Sequence, residues 1–487
     1  MGFLNVLEVS KKQYYIFKSN RLKENIGASE VIAFVTEELP QELCSKNNGI
    51  PINSGGGSSV FYFENNEDSE EFSKEYSLFL LKNFPSLEFF IARNEYCPDK
   101  DSIIEKTSEL YGKLENKKGK RDQYSYISDF GICEKCSSTR LPAVGKDNTT
   151  GRYYSGEVKS KIVMYDKNED SIKQFAVDLK DLGISKNKKS YIAITHIDGN
   201  RMGKRIKILR DKYKDKYIQD NAKEINKQYV FELKQFSEGI KNAFENAFDK
   251  VVDTIKSKSD YLKEKGLDMK EGILPIRKII LAGDDVCYMT DARIALDCAC
   301  IFISELEKHS ILGEKITACA GIAMVKNKYP FFKTYELSEE LCKNAKTSIE
   351  ENSIESRMDW HIVQGEYNNN LDEIRYTAYK AFDGKNLSLR PLVVSKDSNA
   401  ENHYLLFKKD IEKINAGNIA RSKIKGMLME IKKGEKQLDT YIEINQLYSA
   451  LGPHRIGSKS GFVRNKCILL DSIETMDYFI PLCTEEE

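Results

Sequence analysis

Three aspartates dominate the chemistry this sequence could perform. "HIDGNRMG", residues 196 to 203, closes one apolar run with Asp198, and "LAGDDVCYM", residues 281 to 289, closes another with Asp284 and Asp285. A carboxylate beside apolar strand residues is costly unless a cation or a hydrogen-bond donor holds it. Two magnesium ions about 4 Å apart would do so, activating an attacking hydroxyl and stabilising the leaving oxygen of a phosphoryl group. Magnesium takes oxygen ligands and keeps waters and substrate phosphates in its shell, so few protein carboxylates suffice. Gly199 and Gly283 stand beside the aspartates, where glycine permits positive φ and lets a triphosphate approach the backbone. By strand alternation His196 shares a face with Asp198, as a ligand or as a hydrogen-bonded edge histidine. "GDD" alone is equally the composition of an ordinary β-turn. A second aspartate at another strand end shifts the weight toward metal chemistry.

The elements that must position these residues read as an α+β chain. "SYIAITHID" is a strand, "GNRMGKRIKIL" opens a helix, and "IRKIILAGDDVCYM" is a hairpin. The helix "DARIALDCACIFISELEKH" and the strand "KITACAGIAMV" follow. The N-terminal region repeats that order: the strand "FLNVLEVS", a helical stretch, and a Gly-rich turn feeding "SSVFYF". Matching "GGGSSVFYF" to "LAGDDVCYM" puts Ser58 and Ser59 on Asp284 and Asp285, and matching "VLEVS" to "ITHID" puts Ser10 on Asp198. On that alignment the first copy has lost all three carboxylates. The second copy carries a lysine-rich helical insert from 204 to 270, in which Phe236, Ile240, Phe244 and Phe248 form one helix face. That face packs on its own domain or receives a partner helix.

The expected organisation is therefore a degenerate domain at 1–125, a Cys-knuckle and linker region at 126–189, a catalytic domain at 190–400 and a C-terminal helical domain at 401–487. Lys+Arg and Asp+Glu both number 75, so no global field favours nucleic acid or membrane. From Lys408 to Lys436 nine basic residues face four acidic ones, and "GPHRIGSKSGFVRNK" adds bases with no acid. This is an RNA or nucleotide contact, or a solvated helix face. Eleven scattered cysteines read as reduced thiols, and with no long apolar span or signal peptide the expectation is a cytoplasmic protein with no membrane association.

"YIAITHIDGNRMG", "IILAGDDVCYM", "ITACAGIAMVKNKYPFFKTYELSEELCKNAK" and the knuckle "CEKCSSTRLPA" together resemble the large palm-domain subunit of type III CRISPR effector complexes, which makes cyclic oligoadenylates. The resemblance implies two ferredoxin-like palms, the first degenerate and the second active, with Asp198, Asp284 and Asp285 holding two Mg²⁺ or Mn²⁺ ions. It implies that Gly199, Asn200 and Gly283 border the nucleotide and that Lys346 reaches its triphosphate. The implied activity is joining ATP, or another NTP, into a cyclic or short oligonucleotide signal in antiviral defence. The implied partners are guide or target RNA and other effector subunits. The family's usual GGDD is AGDD here, with Ala282 at the first glycine. No histidine is followed by aspartate, so DNA cleavage by an HD nuclease is not expected. Cys133 and Cys136 have zinc-knuckle spacing, but a structural site wants four ligands, and Cys97 is the one further cysteine between Cys44 and Cys287. Zinc binding and a metal-free knuckle both stay open. Two other readings also remain: a non-catalytic RNA-binding scaffold, and a free-standing cyclase outside any CRISPR complex, for which a homodimer is the expected form.

Overall fold

A computed structural model describes every residue except 56, 121–132, 169–172, 183–189, 218–220, 271, 352, 366–370, 397–399, 417–418, 448–460, 464 and 483–487. The first unit runs β1 (Gly2–Ser10), α1 (Lys12–Phe17), α2 (Leu22–Ala33), α3 (Leu39–Lys46), β2 (Ile50–Gly55), β3 (Ser58–Phe63), α4 (Asn66–Asn83), β4 (Glu88–Tyr96) and α5 (Ile103–Gly119). After the knuckle comes α6 (Gly156–Lys167). The second unit runs β5 (Tyr191–Gly199), α7 (Met202–Lys214), α8 (Ala222–Ser257), β6 (Ile276–Ala282), β7 (Asp285–Asp291), α9 (Ala295–Leu306) and β8 (Ala318–Lys326). It continues through α10 (Phe331–Thr347), β9 (Arg357–Ile362) and β10 (Leu392–Val393). The mixture is α+β, as the sequence pattern indicates.

The two sheets share a strand order, β2-β3-β1-β4 in one and β6-β7-β5-β8 in the other, the latter extended by β9 and β10. This is the order of a βαββαβ unit. Both faces of each central strand are covered. In β5, Ala193 and Ile197 enter one core with Val286, Tyr288 and Ile322, while Ile192 and Ile194 enter another with Cys287, Met289 and Ala323. A strand covered on both faces reads as a nearly continuous apolar run, which is why "YIAITHI" lacks polar alternation. The first sheet divides in the same way, Leu4, Val6 and Val60 against Leu7, Val9 and Phe61, so each core is built by both sheets.

Register corrects the residue-level alignment of the repeat. Gly55 faces Ser58 across one hairpin and Ala282 faces Asp285 across the other, so Ser58 corresponds to Asp285 and Gly57 to Asp284. Across the next strand pair Glu8 faces Ser58 as Asp198 faces Asp285. The position of Asp198 is thus held by Glu8, not Ser10, and the serine pair slides by one. The first unit keeps one of the three carboxylates. Each strand-to-helix junction also turns through a basic residue in the left-handed region three positions later, Lys11 at φ 51° and Arg201 at φ 60°. The likeness extends to the bracing lysines: Lys118 of α5 pairs with Glu8 at 2.7 Å, and Lys346 of α10 pairs with Asp198.

The insert proves to be the crossover helices α7 and α8. Phe236, Ile240, Phe244 and Phe248 are all buried in the chain's own core, which settles that stripe as packing. Three C-terminal helices, α11 (Tyr404–Ala416), α12 (Arg421–Lys433) and α13 (Glu435–Ile444), join the same core. Of these, α11 is tied to α9 through buried Asp297, which accepts from Tyr404 at 2.5 Å and Lys408 at 2.8 Å, and from the Leu482 amide at 2.6 Å. The basic glycine-rich stretch near 455 lies largely outside the described residues. Among the described residues no helix is long and apolar enough to cross a membrane.

Helix α10 lies on β8 at Gly321, where a Cβ would collide with the Ser338 carbonyl oxygen and the Cys342 amide nitrogen. Backbone cannot yield there as a flexible side-chain tip could. Gly321→Ala is expected to cost about 1–3 kcal/mol, the usual range for overpacking, read as a lower denaturation midpoint with an unchanged m value.

Candidate active site at the junction of the two sheets

Antiparallel pairing brings the aspartates together. Asp198 is the penultimate residue of β5, Asp285 opens β7 directly opposite it, and Asp284 sits in the turn between β6 and β7. Gly199 lets the strand end and that turn approach, since a Cβ there would strike Met202 and the Asp284 side chain, and its amide donates to the Asp284 carbonyl at 3.1 Å. Gly283 has a different reason to be glycine. Its φ is +65°, in the left-handed region, while a Cβ would meet nothing within 4 Å.

Each outer carboxylate has a resident partner. The Lys346 ammonium donates to Asp198 Oδ2 at 2.5 Å and to the Gly199 carbonyl at 3.0 Å. His196 Nε2 lies 2.9 Å from Asp285 Oδ1, and Gln13 of α1 donates to Asp285 Oδ2 at 3.4 Å. His196 therefore serves as the hydrogen-bonded histidine of the two readings offered for it. Burial works to raise the Asp285 carboxyl, but His196, with Lys12 and Gln13, outweighs it and holds the group below the usual range. Burial likewise opposes protonation of His196, yet Asp285 and the Cys342 thiol draw its pKa well up. Asp284 has no such support: burial, then the fields of Asp198 and Asp285, push it up to about 6.

The Asn200 amide donates to Thr317 Oγ1 and to the Glu355 carbonyl, both at 3.2 Å, which braces the strand end. Asn200 also lines a cavity of about 320 Å³ with Lys346, Arg201 and Lys204. On the other side of the carboxylates a cavity of about 530 Å³ opens between the two sheets. Asp284, Asp285 and Gly283 line it together with Lys12 and Gln13 of α1, Asn53 of β2, and Phe236 and Ser237 of α8. Lys12 and Gln13 are the residues that sequence reasoning missed. Nothing local marks them, because the contact joins residues 272 positions apart.

Among the described residues no three His, Cys, Asp or Glu side chains are gathered to hold a metal ion. For the aspartates the reason is visible: Lys346 and His196 hold Asp198 and Asp285 in their own hydrogen bonds. The donors are still hard oxygens whose mutual repulsion raises Asp284, and that chemistry suits a divalent ion completing its shell with water and phosphate. Cys97, Cys133 and Cys136 fall under the same finding. Cys97 belongs to the turn after β4, its amide bonded to Asp101, while Cys136 is buried in the knuckle with its amide on the Leu141 carbonyl.

This fold and this site define a palm-type α+β chain. Residues 191–355 match the family model described as Cas10/Cmr2, second palm domain. Among solved structures the chain resembles the Csm1–Csm4 cassette in complex with cA4, with a TM-score of 0.57 and 13% identity, covering 99% of this chain and 70% of that one. It also resembles the cassette with one ATP, at 0.56 and 14%, covering 98% and 70%. The Csm1–Csm4 subcomplex of the type III-A CRISPR-Csm interference complex matches at 0.56 and 13%, covering 98% and 69%. At such identities the likeness is one of fold. No curated protein matches the sequence. The chain is thus similar to a Cas10-like large subunit, in its second palm by sequence and over its length by fold, as the motifs indicate.

The raised Asp284 sets a sign for stability. An acid whose native pKa exceeds its unfolded value contributes stability that is complete below about pH 4 and is lost as pH rises through its native value. That native value is about 6. In EDTA, the Tm of wild type is therefore expected to fall relative to Asp284→Asn between pH 4 and 7, measured by calorimetry at matched ionic strength. A constant difference across that range would show that Asp284 is not raised.

Proposed function

We propose that the chain is a metal-dependent nucleotidyltransferase that joins ATP, or another NTP, into a cyclic or short oligonucleotide signal, as the large subunit of a type III CRISPR or related defence complex. The observation that carries the reading is that strand pairing sets Asp198 opposite Asp285, while Asp284 and Asp285 line a cavity large enough for a nucleotide, in a palm matched to the Cas10/Cmr2 family. The similar cassettes hold ATP, AMPPNP, pppApA, cA3 and cA4 by their own descriptions, which supports adenine nucleotides as the substrate class. Their Csm4 subunit supports an effector-complex partner.

Asp198, Asp284 and Asp285 would hold Mg²⁺ or Mn²⁺, which would offset the charge of the reacting phosphate and lower the pKa of the attacking 3′-hydroxyl. The chain's own residues do the rest. Lys346 stands beside Asp198 with its ammonium at the site, where it can bind the triphosphate. His196 fixes the Asp285 carboxylate from behind, with Tyr335 against its ring at 5.7 Å between centroids. Gly199 and Gly283 keep the strand end and turn bare of side chain beside the reacting groups. Positioning and electrostatics supply the rate, as in phosphoryl transfer generally. The first unit reads as a palm that kept Glu8 and its Lys118 brace but replaced the aspartate pair by Gly57 and Ser58. The knuckle reads as a structural element, with zinc an open question that metal analysis of the purified chain answers.

The test is incubation of the purified chain with each NTP and Mg²⁺ or Mn²⁺, with and without RNA and partner subunits, followed by mass spectrometry. Wild type is expected to yield oligonucleotide product, and Asp284→Ala/Asp285→Ala none. Lys346→Ala should lose about 10²-fold in kcat, in line with removal of one preorganised electrostatic group. An identical, product-free result for wild type and the double variant under every condition would leave the scaffold reading.

A further inference from the structure

The second unit's carboxylate site contains a cation that does not belong to that unit. Helix α1 of the first unit starts at Lys12, immediately after the left-handed Lys11, and lays its side chain across the hairpin turn at Gly57. Gly57 has a φ of +84°, which favours glycine, and the Lys12 ammonium occupies the space where a Cβ would lie. Gly57 is the counterpart of Asp284 by hairpin register. Where one unit projects a carboxylate, the other therefore leaves a gap filled by an ammonium. That ammonium lines the 530 Å³ cavity with Asp284 and Asp285 and lies within the fields of Asp285 and Glu8.

The placement of Lys12 is heavily braced. Phe17 at the far end of α1 stacks on Tyr335 of α10 at 4.2 Å and 16°, and Asn20 accepts from the Phe331 amide at 3.0 Å. On the opposite side the buried Lys161 of α6 donates to the Tyr15 carbonyl at 2.8 Å and to Glu157 at 2.7 Å, and Glu157 also takes Lys18 at 3.1 Å. A six-residue helix is thus clamped between α6 and the helix that carries Lys346. Such bracing fixes the backbone from which Lys12 projects, as a residue that serves a site requires. Burial draws the Lys12 pKa below the usual lysine range, with Asp285 and Glu8 pulling it back.

Resting on the nucleotidyltransferase reading, we propose that Lys12 is a substrate-binding residue supplied across the junction: it contacts the phosphates of the nucleotide in the shared cavity and repels a bare divalent ion, so that metal enters with nucleotide. One positive charge close to the carboxylates disfavours an approaching dication and favours a triphosphate, and both effects are strong where water is scarce. The two signs are opposite, and a structural lysine would produce neither.

The experiment uses the full chain and two binding measurements that need no turnover. Free Mn²⁺ is titrated by electron paramagnetic resonance, and α,β-methylene-ATP with Mg²⁺ by calorimetry. Lys12→Met is expected to bind Mn²⁺ alone about fivefold more tightly, since a nearby repulsion is gone. It should bind the analogue about tenfold more weakly, the loss of one charge-assisted contact, while Lys12→Arg keeps both values near wild type. Unchanged affinities, or shifts of the same sign, overturn the proposal. If Lys12→Met does not fold by circular dichroism, Lys12→Gln is measured instead, and failure of both to fold makes Lys12 a structural residue and overturns it equally. A wild type that binds neither probe sinks the nucleotidyltransferase reading itself, whereas a wild type and Lys12→Met that bind both alike sink only the role of Lys12.

Discussion

Three carboxylates at the ends of two adjacent antiparallel strands repel one another, and the junction between the two sheets is organised around that repulsion. Asp198 and Asp285 are each given a hydrogen-bonding partner, Lys346 from α10 and His196 from the adjacent strand β5. Asp284 has no such partner, and burial, with the fields of Asp198 and Asp285 added, pushes its carboxyl up to about 6. The groups that quiet the site without metal are short side-chain contacts on helices and strands packed from both sides. Their positions are fixed by the cores beneath, above all by α10 resting on Gly321.

The repeat gives this arrangement its economy. A βαββαβ sheet places a strand end beside a hairpin turn wherever it occurs, so both units offer the same frame, down to a left-handed basic residue at the first helix and a lysine from the helix after the fourth strand. What differs is the charge at two positions, Gly57 against Asp284 and Ser58 against Asp285. In the first unit Glu8 is answered by Lys118, and Ser58 by Tyr111 at 2.9 Å, which leaves a satisfied and electrically quiet frame. In the second the same frame is loaded with negative charge. The contrast supports chemistry in one unit and support in the other.

Much of this was legible in the sequence. The apolar runs ending in "HID" and "AGDD" identify the strand ends, and two strand ends carrying aspartate can meet only if they are neighbours in a sheet. The element order betrays the repeat. Its exact register could not be read, because "GGGSS" slides against "AGDD" without penalty in residue type, whereas a shift of one residue turns every side chain to the other face and is decided only by pairing. The bracing part of Asn200 was hidden for a similar reason: it shows only when Thr317 is brought to it from 117 positions away. Lys12 and Gln13 lie in an unremarkable "SKKQYY" and acquire meaning only when the first unit docks. The insert helix was readable because its four apolar residues report burial directly.

The two sheets divide their faces between the same two cores, with Phe17 and Val35 of the first unit packed in one core with Met289 and Val325 of the second. Neither half can therefore be lifted off intact. Taking away the first unit would leave Met289 and Val325 facing water, so the first unit serves the second as a roof over its apolar floor.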